Sequence, residues 1–255
     1  MRSHRRRSRR QSDSGKQWWP FKSVRGDRVI SKMSRIDKET PDPELGTLEY
    51  LKPVEVELIA AALQGRDRLM VKVFAWSGLR PSELLGGSSA PGVRWRDIYT
   101  DRHGMMRIKV NGARPKSRRH IVVIDSLAKE LEAYRAWLKP DIDDLLFPGP
   151  NGGAWTDTQY RNWYRRKWNT ACEACGVGPH RVFELRHGYA RMLLRSGDQI
   201  SKVAFALGNG RDFTASKYSP FVEELRGGLK ITPDQAIEQA RQEAKDLGKQ
   251  RNSSA

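Results

Sequence analysis

Phe183-Glu184-Leu185-Arg186-His187-Gly188-Tyr189-Ala190, FELRHGYA, opens a segment that runs on through RMLLRSG and reads as a mostly apolar helix closed by Gly197. An arginine and a histidine sit at the start of a stretch that otherwise asks to be buried. Taken alone, Arg186 reads as a snorkelling surface cation and His187 as a satisfied core histidine. The rest of the chain changes that reading.

The chain has 255 residues, 38% of them hydrophobic, enough for one substantial core with appendages. Forty-seven Lys and Arg against 30 Asp and Glu give a net charge of +17. Such a surplus points to a polyanion, because cations that neutralise a phosphate backbone release its counterions. No apolar run approaches the length of a membrane span, which favours nucleic acid over a membrane surface. The two cysteines, Cys172 and Cys175, lie at i,i+3 in a helical run, and with His180 they fall short of a four-ligand zinc site. A reduced, cytoplasmic protein without a metal or other cofactor is the simplest fit.

Residues 1–45 read as a basic tail and linker. Six arginines precede Gln11, among them Arg5, Arg6 and Arg7, and no apolar run accompanies them. Trp18, Trp19 and Phe21 follow, then the Pro- and Gly-bearing KETPDPELG. The globular part, residues 46–225, starts with Pro53 at a first helical position before VEVELIAAALQ. Further helices are expected in LMVKVFAWSG, RPSELLG, SLAKELEAYRAWL, DTQYRNWYRRKWNTACEACG and QISKVAFALG. Between them VRWRDI, MMRIKV and RHIVVI read as three short strands. Residues 226–255 hold a last helix, with Thr232, Pro233 and Gln235 in a capping-box arrangement and a thin apolar stripe. That stripe suits either packing on its own domain or docking onto a neighbouring protomer. The fold class is α+β, mainly α, with one small three-stranded antiparallel sheet.

Three ordered stretches then align. WSGLRPSELL places Arg80 at a helix start with Glu83 three residues on; FELRHGYARMLLRSG supplies Arg186 and His187; ALGNGRDFTASKYSPF carries Asn209 and Tyr218. Together they resemble the catalytic domain of the tyrosine recombinases, the phage-integrase family. The intervals from Arg186 to Asn209 (209 − 186 = 23) and to Tyr218 (218 − 186 = 32) fit that family's pattern. The resemblance covers about residues 48–225.

The resemblance implies a site-specific recombinase or integrase that cuts and rejoins double-stranded DNA through a 3′-phosphotyrosyl intermediate, working as a tetramer on DNA. Tyr218 is then the nucleophile, and Arg80 and Arg186 clamp the charge that builds on the phosphoryl oxygens. Lys116, in the turn between the last two strands, protonates the leaving 5′ oxygen, with Arg114 and Lys109 as fallbacks. His187 binds the phosphate or accepts the phenol proton, since a phenol of pKa ~10 is a weak nucleophile unassisted. Glu83 and Asn209 support the arginines, and Arg114, Arg118 and Arg119 join the tail arginines in holding DNA.

The chain departs from the family pattern at Phe183, where a His or Lys belongs, and at Asn209, where a His or Trp belongs. Asn209 can donate a hydrogen bond but cannot carry a proton. Roughly 50 residues ahead of the globular part are too few for the family's N-terminal clamp domain. Two alternatives follow: a DNA-binding relative with weakened or lost chemistry, and a type IB topoisomerase-like enzyme. DIDD at 141–144 reads as a solvated turn rather than a metal site.

Overall fold

The computed structural model describes residues 50–87, 90–112, 118–224 and 230–253. The expectations for the tail with Arg5, Arg6 and Arg7, and for Arg114 and Lys116, fall outside these residues. Helix α1 (Pro53–Ala62) begins where Pro53 can spare its missing N–H, and the Glu55 carboxylate accepts the free Lys52 N–H at 2.7 Å. Helix α2 (Gly65–Ser77) is buried from Leu69 to Ser77 and forms the centre of the molecule. It ends at Gly78, whose φ of +62° is left-handed; a Cβ there would lie 2.5 Å from the Tyr189 ring, so glycine is required twice over. Helix α3 (Pro81–Leu85) follows after two residues.

The sheet is an antiparallel meander of β1 (Ile98–Thr100), β2 (Met106–Val110) and β3 (Arg119–Val122), with Ile98, Ile108 and Ile121 in one cross-strand row against the core. VRWRDI is not the strand expected of it. The Asp97 carboxylate accepts the Arg94 N–H at 2.9 Å and folds Trp95–Asp97 into a 3₁₀ turn, which buries the Trp95 ring. The first strand therefore starts only at Ile98.

Helix α4 (Asp125–Leu138) packs against α2. Residues 157–175 wind as one rod in three parts: α5 (Asp157–Trp163), a π turn over Tyr164–Trp168, and α6 (Asn169–Cys175). The wider π turn brings Trp163 and Trp168, five residues apart, to the same buried side with ring centroids 6.5 Å apart. Helices α7 (Glu184–Arg195), α8 (Ile200–Leu207) and α9 (Arg211–Glu224) pack on one another, and α7 lies on α2.

Helix α10 (Pro233–Ser253) has the expected capping box: the Thr232 N–H donates to Gln235 Oε1 at 2.9 Å, and the Gln235 N–H to Thr232 Oγ1 at 3.2 Å. In the single chain it lies on α1 and buries Ile237 completely. Beneath it, buried Lys72 pairs with Glu57 at 3.1 Å and Glu130 at 2.8 Å, and Arg241 of α10 reaches the same two carboxylates at 3.4 and 2.5 Å. Cations from two helices thus neutralise carboxylates from two others, the condition under which buried charge is tolerated.

Candidate active site

Arg80 stands at the N-cap of α3 with its backbone extended, which turns the side chain out of the helix. Glu83 reaches back to it. Its carboxylate accepts the Arg80 N–H at 2.9 Å and Nη1 at 3.0 Å, and takes two further bonds of 3.0 Å from Arg119 Nη1 and Nη2. Burial would raise the Glu83 carboxyl, but Arg119 and then Arg80 outweigh it and hold the group below its ordinary value. Arg119 also donates from Nε to Ala206 O at 2.8 Å. It is 3% exposed, so this guanidinium braces the site from within rather than meeting DNA as expected, while Arg118 is exposed.

Arg186 is 2% exposed, and main-chain carbonyls hold its fork in place. Nη1 donates to Gly78 O at 2.5 Å, and Nη2 donates to Leu207 O and, at 3.1 Å, to Asn209 Oδ1. Arg80 Nη2 donates to that same Oδ1 at 2.8 Å. The α8–α9 corner can come this close only because Gly208, at φ +64°, has no side chain; a Cβ there would sit 2.7 Å from Arg119 Nη1. Burial first, then the neighbouring Arg80 and Arg119, pull the Arg186 pKa down to about 9, which leaves it charged at neutral pH.

One residue on, His187 Nδ1 and the Tyr218 hydroxyl are 2.7 Å apart. Burial, followed by Lys217 and Arg186, drives the His187 pKa down to about 4. Burial pushes the Tyr218 phenol up to about 12, with Arg186 opposing. Between those values the imidazole is neutral and the phenol protonated. The hydroxyl therefore donates to Nδ1, and the ring proton sits on Nε2. This is a phenol hydrogen-bonded to a neutral imidazole nitrogen that can accept a proton, with the Arg186 guanidinium nearby.

Residues 49–220 match the phage integrase family. The chain belongs to that family. Among curated relatives, the tyrosine recombinase XerC of Xanthomonas axonopodis pv. citri (strain 306) is 30% identical over 174 residues, 67% of this chain and 52% of the relative. XerD of Pseudomonas aeruginosa is 28% identical over 206 residues, 76% of this chain and 64% of the relative. The chain thus spans about half to two thirds of these relatives' length. The solved structure of XerA recombinase superposes with a TM-score of 0.53 at 18% identity, covering 71% of this chain and 66% of the other. XerH site-specific recombinase bound to a palindromic difH substrate gives 0.52 at 22% identity, covering 70% and 52%. These likenesses carry the fold.

In this integrase-family chain the structure joins Arg80, Glu83, Arg186 and Asn209 in one hydrogen-bonded cluster and sets the bonded pair His187–Tyr218 beside Arg186. Phe183 stands at the N-cap of α7, 40% exposed, with its ring edge-to-face to His187 at 5.3 Å. His180 does not take over the place of a basic residue there, because its Nδ1 is held by Glu184 Oε2 at 2.6 Å. Among the described residues no cluster of three or more His, Cys, Asp or Glu could hold a metal. Burial, then Cys175, pushes the Cys172 thiol up to about 12. None of the described helices is long and apolar enough to cross a membrane. Sequence reading missed three parts: the carbonyls of Gly78 and Leu207, and the inward turn of Arg119. Only the last left a signal, since Arg119 alternates with His120 and shares its face with buried Ile121.

Proposed function

We propose that this chain cuts and rejoins DNA strands as a site-specific recombinase of the cytoplasm, with Tyr218 as nucleophile. The observation that carries the reading is the 2.7 Å bond between the Tyr218 phenol and a neutral His187 next to the paired guanidiniums. In the reaction Tyr218 Oη attacks phosphorus and its proton passes to His187 Nδ1. The P–O5′ bond breaks, and the departing oxygen takes a proton from Lys116. Arg80 and Arg186 stabilise the charge on the non-bridging oxygens. Attack by a 5′-hydroxyl on the phosphotyrosine reverses every step and reseals DNA. Since Tyr218 is only 1% exposed, α9 must give way before the phenol reaches a phosphodiester carried on a duplex. Exchange between two duplexes needs one active site per strand, hence a tetramer. There α10 is the segment fitted to cross to a neighbour, because α1 and the Glu57–Lys72–Glu130 cluster would receive a neighbour's copy as they receive their own. Covalent capture on a nicked duplex in the presence of EDTA tests the reading. A second reading, a DNA-binding relative with little chemistry, is favoured by Phe183 and by Asn209, which cannot carry a proton; it predicts tight binding and no adduct.

The His187 assignment has a pH signature. An ordinary histidine titrates near ~6.5 and would switch off as a base through that range. With a pKa of about 4, His187 keeps cleavage level from roughly pH 8 to 5 and lets it fall below that. The same shift makes the folded state the poorer proton binder. Its stability contribution is whole above roughly pH 6.5 and is lost as pH falls toward 4. His187→Gln should lower the cleavage rate by ~10²–10⁴ across the plateau. A wild-type rate that halves near pH 6.5 would remove His187 from this role.

Arg5, Arg6 and Arg7 we assign to the phosphate backbone, together with exposed Arg118 and with Arg114. Each phosphate neutralised adds about 0.9 to the slope of log affinity against log salt. Deleting residues 1–16 should flatten that slope, weaken binding equally on all sequences, and leave the cleavage position unchanged. An unchanged slope means the tail does not hold DNA.

A further inference from the structure

The two catalytic guanidiniums meet at one atom. Arg80 Nη2 and Arg186 Nη2 both donate to Asn209 Oδ1, at 2.8 and 3.1 Å. Guanidiniums have donors and no acceptor, so the amide atom between them has to be the oxygen. Arg186 has little else to offer an incoming anion. Its Nη2 already serves Leu207 O and its Nη1 serves Gly78 O, and the whole residue is 2% exposed. A partial negative oxygen thus stands between two cations, where a phosphate oxygen clamped by both would have to lie.

We propose that Asn209 is a built-in anion mimic: its Oδ1 occupies the phosphate-oxygen position in the DNA-free protein and gives it up when the scissile phosphate enters. The inference rests on the reading of this cluster as a phosphodiester site. It changes the role expected for Asn209, from a hydrogen-bonding support of the arginines into a stand-in for the phosphate. Burial chiefly, and then repulsion from Arg80 and Arg119, lowers the Arg186 pKa, and an acceptor between Arg80 and Arg186 offsets part of that repulsion while no phosphate is bound. A neutral amide oxygen is also a replaceable occupant. A phosphate brings a full negative charge and several acceptor oxygens to two guanidinium forks, where the amide brings one partial charge, so a phosphate displaces it. A carboxylate at the same place would not yield.

Neither arginine depends on Asn209 to stay in position. Glu83 holds the Arg80 backbone N–H and, at Nη1, its guanidinium, and two carbonyls hold Arg186. Removing the amide therefore takes away a competitor and leaves the clamp standing. The test is calorimetric titration of the full chain, without DNA, with inorganic phosphate at low salt, counting only binding that Arg80→Ala abolishes. Asn209→Ala should bind phosphate about tenfold more tightly than wild type, the order expected for two displaced hydrogen bonds. Asn209→Asp should not bind it. Equal or weaker binding by Asn209→Ala would overturn the inference and return Asn209 to the role of a support for the arginines. Arg80-dependent binding absent from both wild type and Asn209→Ala would instead overturn the phosphate-site reading beneath it.

Discussion

Tyr218→Phe should abolish covalent capture of DNA and leave binding intact. The substitution removes one oxygen. The ring keeps its packing against Phe221, 6.3 Å between centroids, and its contact with the His187 ring at 5.8 Å. One lost hydrogen bond costs about 1 kcal/mol, small beside the stability of a domain of this size. Chemistry, by contrast, loses its nucleophile, and the two tyrosines of the neighbouring elements are poorly placed to replace it. Tyr189 is buried on α7 against Gly78, and burial pushes its phenol above its ordinary value. Tyr164 is committed to the His180 carbonyl at 3.2 Å. The readout is denaturant-resistant adduct on a nicked duplex, with a binding measurement alongside. A persisting adduct at wild-type yield would move the nucleophile elsewhere.

The second large effect belongs to the arginines, and it separates them. Removing one preorganised anion-stabilising group costs on the order of 10²–10³ in rate. Arg80, with a side chain 34% exposed, should lose at least that as Arg80→Ala while the melting temperature moves little. Arg186→Ala should lose as much activity and stability too. It strips the donor from Gly78 O and Leu207 O and leaves a cavity at the junction of α2, α7 and α8. Arg186→Lys keeps the charge but not the planar fork, and should recover stability more than rate. Single-turnover cleavage and thermal unfolding measured on the same three variants check both halves. A wild-type rate in Arg80→Ala would exclude it from the phosphate clamp.

Much of the site was legible because its residues sit on regular elements whose periodicity the sequence declares. Arg186 and His187 open a helix whose other face is core, Glu83 follows Arg80 by one short helical turn, and Tyr218 falls on the helix after the Gly208 corner. What escaped was the part made by tertiary approach. The carbonyls of Gly78 and Leu207 have no side-chain signature, and their role appears only when α2, α7 and α8 converge on one guanidinium. Arg119 looked like one more cation in a basic hairpin, whereas strand alternation directs it inward to Glu83. Asn209 was readable as a polar residue at a family position, but not that both arginines would converge on its side chain. The 3₁₀ turn at Trp95–Asp97 and the π turn before α6 are local departures set by a single carboxylate and by paired tryptophans, beneath what apolar periodicity resolves.

The most direct measurement is the identity of the DNA-linked residue. Wild-type chain is incubated in EDTA with a nicked duplex bearing the DNA that flanks its own gene, then denatured and digested, and the nucleotide-bearing peptide is sequenced by mass spectrometry. The expected result is a single modified peptide spanning α9, with the phosphonucleotide on Tyr218 oxygen. A modification on any other residue, or DNA bound tightly with no linked peptide at all, would contradict a phosphotyrosyl mechanism built on Tyr218, His187 and the two arginines.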